Sequence, residues 1–272
     1  MSGAGGDPGA MRRATLPNGM NVAYQTKAEL DQFYADIFER QGYTRHGIVL
    51  ADGACVFDVG ANIGLFTLFV TDRVRGARVY AFEPAPPLFA ILEENTLWCA
   101  GEVLLFDCGL ADREGTAELT FYPLTSGMSS FHADAGEERA ALRTLFHNRA
   151  AAGAPGIAEV LRAEEDLLDQ RLRSETYRRP VRTLSSVIAE HAVPCIDLLK
   201  LDVEKSEAQV LAGIAAGDWP KVRQIAAEVH DLDGRVAAMT ADLQARGFEV
   251  SVEQEALYRG SDRHALYARR PA

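Results

Sequence analysis

The chain has 272 residues and a mass of 29.6 kDa, with 47% apolar and 25% charged residues, a composition that excludes a disordered chain and promises a sizeable core. Its 28 Lys and Arg against 39 Asp and Glu leave a formal charge of −11, which repels phosphate backbones and anionic membrane surfaces and argues against nucleic acid or membrane partners. Cys55, Cys99, Cys108 and Cys195 stand far apart, with no CxxC pair and no Cys/His cluster at zinc spacing, which fits a reduced, cytoplasmic protein.

Residues 1–11 read as a flexible tail, Gly- and Ala-rich and without the basic and apolar regions of a signal peptide. The remainder, 12–272, reads as one domain. Within it, 12–50 forms an N-terminal cap in which Glu29 to Arg40 sets Leu30, Phe33, Tyr34, Ile37 and Phe38 at helical spacing. After the Ala51-Asp52-Gly53 turn, Cys55 to Gly60 is a short apolar run ending in Asp and Gly before a second apolar stretch, Leu65 to Val70. Strand, glycine turn, helix is the natural parse. Leu65 to Val70, with one Thr inside it, is also the longest apolar run, well short of the ~20 residues that span a bilayer.

A second strand is expected over Arg78 to Glu83, a helix over Pro86 to Cys99 and a third strand over Val103 to Cys108. Strands alternating with helices predict a parallel sheet covered on both faces. Gly115 to Pro123 alternates and predicts an extra strand or hairpin arm. Residues 133–179, rich in Ala, Glu, Arg and Leu, predict two helices joined at Gly153-Ala154-Pro155-Gly156, an inserted lid too short to bury a core alone. The sheet resumes at Cys195 to Val203, followed by a helix over Ser206 to Ala216, a strand over Gln224 to His230 and a helix over Asp233 to Arg246 closed by Gly247. Phe248 to Glu253 and His264 to Arg269 give two final strands, close enough to pair antiparallel.

In an open parallel sheet the ligand lies beyond the carboxyl ends of the strands, where their order reverses. The first strand ends in Asp58-Val59-Gly60-Ala61-Asn62-Ile63-Gly64, whose glycines allow a tight turn and a close backbone approach. Nineteen residues after Gly64 comes Glu83, placed to accept from both hydroxyls of a ribose. The G-x-G-x-x-G of dinucleotide sites is absent, since positions 60, 62 and 65 hold Gly, Asn and Leu. Asp58 would face a pyrophosphate badly but suits the amino group of a methionine. S-adenosylmethionine is therefore favoured over NAD, with S-adenosylhomocysteine as product; an NAD-dependent oxidoreductase is the competing reading.

The segments VFDVGANIGLFTL, VYAFEPAPPLFAILEEN and LLKLDVEKSEAQVLAGI, in this order, resemble the FkbM family of S-adenosylmethionine-dependent methyltransferases over roughly Leu16 to Arg269. KLDVEKSE, LPNGMNVAYQTKAE and DWPKVRQIAAEVHDLDGR look most like the O-methyltransferases of polyketide and nonribosomal peptide assembly lines, although most of the wider family has DVEG where this chain has Lys205-Ser206 after the acid. The resemblance implies an α/β class I methyltransferase with a Rossmann-like fold: a seven-stranded, mostly parallel sheet, its last strand antiparallel, with helices on both faces. It also implies that Asp58, Gly60, Asn62 and Gly64 line the methionine end, Glu83 the ribose, and Phe82, Pro84, Asp107 and Cys108 the adenine.

Two further strand ends supply the reactive side. Asp202 and Glu204 close the fourth strand, and Glu228 and His230 lie on one side of the fifth, so one can orient the other. A hydroxyl nucleophile must lose its proton as the carbon–oxygen bond forms, and His230 beside carboxylates is the candidate base. The same side chains suit a divalent metal, but no local spacing forces them onto one ion, and no metal is assigned. Ser126-Gly127-Met128-Ser129-Ser130 is small and polar enough to approach the cofactor, with Ser129 the candidate contact. The expected reaction is O-methylation of a hydroxyl or enol on a polyketide or polyketide-peptide intermediate, carried on the phosphopantetheine arm of an acyl carrier protein. The alternatives are a free small-molecule natural product or sugar as acceptor, methylated with metal assistance, and a catalytically silent scaffold.

Overall fold

Apolar runs that do not alternate become strands buried on both faces, and a computed structural model, describing residues 11–271, arranges them in chain order as follows. The cap contains β1 (Arg12–Thr15), β2 (Asn21–Tyr24) and α1 (Lys27–Tyr34), which continues as a π-helical turn over Ala35–Glu39. Next come β3 (Cys55–Val59), α2 (Leu65–Arg73), β4 (Arg78–Phe82), α3 (Pro86–Thr96), β5 (Glu102–Phe106), β6 (Gly109–Leu110) and β7 (Gly115–Phe121). The insertion holds α4 (Ala135–Ala151), α5 (Ile157–Arg162) and α6 (Glu164–Arg171) before β8 (Glu175–Arg182). The chain closes with α7 (Leu184–Glu190), β9 (Leu198–Leu201), α8 (Glu207–Ala212), β10 (Gln224–His230), α9 (Arg235–Ala245), β11 (Glu249–Glu253) and β12 (Arg263–Arg269). Of the tail expected over 1–11, only Met11 falls among the described residues.

The seven-stranded sheet runs β11-β12-β10-β9-β3-β4-β5. β12 is antiparallel to both neighbours, and the strands from β10 to β5 are parallel. This is the expected class I methyltransferase sheet. The order reverses between β3 and β9, which puts the ligand crevice above those two strands. One core lies under α2, α3 and the cap, around Val56, Phe66, Phe69 and Leu92. The other lies under α7, α8 and α9, around Phe57, Ile188, Leu199 and Trp219.

Two stretches differ from the sequence expectation. The cap begins with a hairpin, β1 against β2, turned at Leu16 to Gly19 with Gly19 at φ +88°. The inserted segment has three helices, and from Glu175 onward it is β8, paired antiparallel with β7 from Phe121↔Glu175 to Gly115↔Val181. ETYRRPVR hides its strand character because the small β6-β8-β7 sheet buries only Val181 and leaves half of the strand's residues exposed, so charged residues fill both faces.

Candidate functional site

A cavity of about 430 Å³ opens above the carboxyl ends of β3, β4, β9 and β10, bounded on the far side by α1 and the inserted helices. Its floor is the glycine turn. Gly60 adopts φ +79°, and a Cβ there would fall 1.7 Å from the carbonyl oxygen of Asp202, so only glycine fits. Asn62 is also left-handed, at φ +51°; its Oδ1 accepts from the Ile63 amide at 2.8 Å and its Nδ2 donates to Ser126 Oγ at 3.3 Å.

Glu83 stands at the end of β4. Its Oε2 accepts from the Asn62 amide at 2.8 Å and its Oε1 from the Ala85 amide at 2.8 Å. Burial pushes its carboxyl up to about 7, against the pull of those two amides. Both oxygens are thereby fixed, and each keeps a lone pair for a hydroxyl donor. Phe82, Pro84 and Cys108 line the same wall, the Cys108 thiol pushed up to about 11 by burial and hence neutral. Ser129 lines it too, its hydroxyl accepting from the Tyr122 amide at 3.1 Å.

Four expected contact residues lie outside the cavity lining. Asp58 is fully buried beneath the turn, where it accepts from Thr67 Oγ1 at 2.7 Å and pairs with Lys200 at 3.1 Å. Its side chain points away from the ligand because alternation along β3 turns it into the layer with α2. Gly64 caps α2 at φ +87° against Leu92 instead of facing the ligand. Asp107 is exposed and paired with Arg179 of β8. His230 is 4% exposed behind Glu204.

The acidic wall is the end of β9 and β10. Asp202, Glu204 and Glu228 line the cavity together, with Arg263 of β12 paired to Glu228. Burial pushes Glu228 up to about 7, opposed by Arg263. His230 Nε2 lies 3.1 Å from Glu204 Oε2 and Nδ1 lies 3.3 Å from Glu207 Oε1. Burial opposes the charge of this imidazole, but Glu204 and Glu207 outweigh it and hold its pKa well above 6.5. With a carboxylate facing each ring nitrogen, His230 presents no free nitrogen to the cavity. It orients Glu204. Glu204, Glu228 and His230 also offer ligand atoms within 4.8 Å of one another, the residues that would hold a divalent cation.

Lys200 and Tyr43 are site residues that the sequence reading overlooked. Lys200, 3% exposed in β9, donates from Nζ to the Gly60 carbonyl at 2.6 Å. Burial works against its charge, but Asp58 and Asp202 prevail and raise its pKa. Tyr43 donates to Asp202 Oδ2 at 2.7 Å. With its one ammonium already spent on protein oxygens and Leu65 where a third glycine would stand, the glycine turn suits a nucleoside that bears a cationic amino acid rather than a pyrophosphate. The fixed oxygens of Glu83 complete that fit.

Residues 58–250 match the methyltransferase FkbM domain family. The chain is 43% identical over 260 residues to the 31-O-demethyl-FK506 methyltransferase FkbM of Streptomyces tacrolimicus, covering 94% of this chain and 96% of that protein. It is 42% identical over 263 residues to the AMB antimetabolite synthetase AmbE of Pseudomonas aeruginosa, of whose length it spans 12%. Among solved structures, methyltransferase FkbM from Methylobacillus flagellatus KT superposes with a TM-score of 0.51 at 15% identity, over 86% of this chain and 47% of that one, a likeness of fold.

Proposed function

The chain belongs to the FkbM methyltransferase family, and we propose that it transfers a methyl group from S-adenosylmethionine to a hydroxyl or enol oxygen of a polyketide or polyketide-peptide intermediate. The observation that carries this reading is one cavity with two unlike walls: a glycine turn with a fixed Glu83, and a pair of carboxylates, the buried Glu204 and the partly buried Glu228. Family membership removes the NAD-dependent oxidoreductase from consideration.

S-adenosylmethionine, when bound, supplies an electrophilic methyl on a sulfonium sulfur. Glu83 would hold the ribose hydroxyls, and Phe82, Pro84 and Cys108 the adenine. Gly60, Asn62 and Asp202 would border the methionine, with Ser129 closing the turn from the opposite side. Glu228 accepts the acceptor's proton, because a carboxyl displaced to about 7 is half ionised at neutral pH and binds a proton usefully. Arg263 steadies its charged form, and His230 fixes Glu204 alongside. Most of the rate gain would come from holding donor and acceptor in line.

A carrier-protein arm as the bearer of the acceptor is supported by the likeness to a segment of the synthetase AmbE. A free acceptor is supported by the equally close likeness to a methyltransferase named for demethyl-FK506, nearly all of which this chain covers. The inserted helices α4 to α6 are proposed to close over the acceptor. Calorimetry with S-adenosylhomocysteine and with NAD, followed by mass spectrometry of a loaded carrier protein and of free hydroxylated macrolides for a gain of one methylene, tests the reading. NAD binding without S-adenosylhomocysteine binding would overturn it.

A further inference from the structure

The far half of the cavity, away from the glycine turn, lies under the inserted helices. On α4 the residues facing it are Leu142, Leu145 and Arg149, spaced three and four apart on one side of the helix. α6 contributes Leu167, Gln170 and Arg171. The two helices thus set two guanidinium groups and an amide among leucines.

These two arginines differ from their neighbours. Arg139 and Arg143, on the other side of α4, each reach two carboxylates of α6: Glu165 and Asp169 for Arg139, Glu164 and Glu165 for Arg143. Arg149 and Arg171 have no carboxylate within 4.0 Å among the described residues, although acids outnumber bases in the chain, 39 to 28. Arg149 donates to Gln32 Oε1 of α1 at 2.7 Å, and the Arg171 guanidinium lies 5.6 Å from the ring centroid of Phe146.

Burial lowers the pKa of Arg171, and the charge of Arg149 adds to that in the same direction. Glu29 of α1, the carboxylate that eases this, already accepts from Thr26 Oγ1, Ser126 Oγ and the Gly127 amide, and burial raises its own pKa. Two guanidinium groups that line one cavity without a carboxylate partner, while Glu29 beside them already accepts three hydrogen bonds, are a seat for an oxyanion.

We propose that Arg149 and Arg171 form an anion subsite that binds a phosphate or carboxylate on the methyl acceptor while Leu142, Leu145 and Leu167 hold its apolar body. The inference rests on the reading of this cavity as the acceptor site. The subsite selects acceptors by an ionised group remote from the oxygen that is methylated. A phosphate points to a phosphopantetheine arm; a carboxylate points to a free acid.

The test is titration of the protein saturated with S-adenosylhomocysteine, using two matched pairs of probes: 4′-phosphopantetheine against pantetheine, and octanoate against octanol. At least one anion should bind tenfold or more tightly than its neutral partner, and Arg149→Gln and Arg171→Gln should each erase most of that preference. Arg171→Lys, which keeps the charge, should retain part of it and covers the event that the Gln variant does not fold. A preference confined to the phosphate pair assigns the arm as bearer, and one confined to the carboxylate pair assigns a free acid. Equal binding of both members of both pairs, or a preference that survives both Gln substitutions, overturns the subsite. Failure of S-adenosylhomocysteine itself to bind overturns the methyltransferase reading instead, so the two failures are told apart.

Discussion

The ammonium of Lys200 donates to the carbonyl oxygen of Gly60 at 2.6 Å, so strand β9 pins the glycine turn that leaves its neighbour β3. Beneath that bond Lys200 also pairs with the fully buried Asp58. Lys200→Met leaves the Asp58 carboxylate buried without its partner and should lower stability by about 3–5 kcal/mol. Lys200→Met combined with Asp58→Asn should recover much of the loss. Urea unfolding of both proteins checks this; a double variant no more stable than the single one refutes the pairing.

Glu228→Gln should leave affinity for S-adenosylhomocysteine nearly unchanged, since Glu228 lines the proposed acceptor wall, and should lower turnover by about 10²–10⁴. The active form is the carboxylate. Turnover of the unsubstituted enzyme should therefore rise with pH through about 7, the displaced value of this group, and the variant should lose that rising limb. A Gln variant with full turnover moves the base elsewhere.

His230→Asn removes an imidazolium held between Glu204 and Glu207. A group whose folded pKa is raised contributes its stability fully below its unfolded value, about 6.5 for histidine, and loses it as pH rises through the folded value. Thermal melts of wild type and variant should differ most near pH 6 and draw together in alkali. A gap that widens with rising pH would contradict the charged state assigned to His230.

Lys205 occupies the left-handed region at φ +75° and reaches Glu137 and Glu138 of α4, each at 2.8 Å. Lys205→Gly relieves about 1–2 kcal/mol of backbone strain but cuts the tie between the β9–α8 loop and the inserted helices. Limited proteolysis in the turn Ala152-Gly153-Ala154-Pro155-Gly156 should become faster while the sheet stays folded. Unaltered cleavage would show that the lysine does not restrain α4.

Addition of EDTA should leave methyl transfer unchanged if Glu228 works as a base. A loss reversed by Mg or Mn, and abolished in Glu204→Gln, would make Glu204, Glu228 and His230 ligands of a cation and replace the proton route described above.

The sheet was legible because β3, β4, β5 and β9 are short, mostly apolar runs set between helical segments, and the proposed cofactor wall because a glycine turn is followed by an acid at the next strand end. What sequence hid was direction. Asp58 and Glu83 both end strands, yet Asp58 turns into the layer below and Glu83 toward the cavity. His230 read as a base because two acids flank it in sequence, but Glu207, which commits its second nitrogen, comes from a different helix. The signal for Lys200 was available: a lysine inside LLKL, in a strand buried on both faces, must have a partner there. The hairpin β1-β2 was announced by Pro17-Asn18-Gly19 and was obscured by reading the cap as a helix alone.

The place of β3 between β4 and β9 has a consequence for how the protein is made. β4 pairs with one side of β3 early in synthesis, but the other side waits for β9, whose lysine lies 140 residues after the glycine it holds. A ribosome-bound chain therefore carries an open, apolar strand edge while those 140 residues are made, the kind of edge that recruits other chains. The proposed nucleoside seat is finished only when that edge is covered. Fragments ending before β9 should gather into aggregates rather than rest as half-domains, and slow closure of this long-range pair is the step at which a chaperone would act.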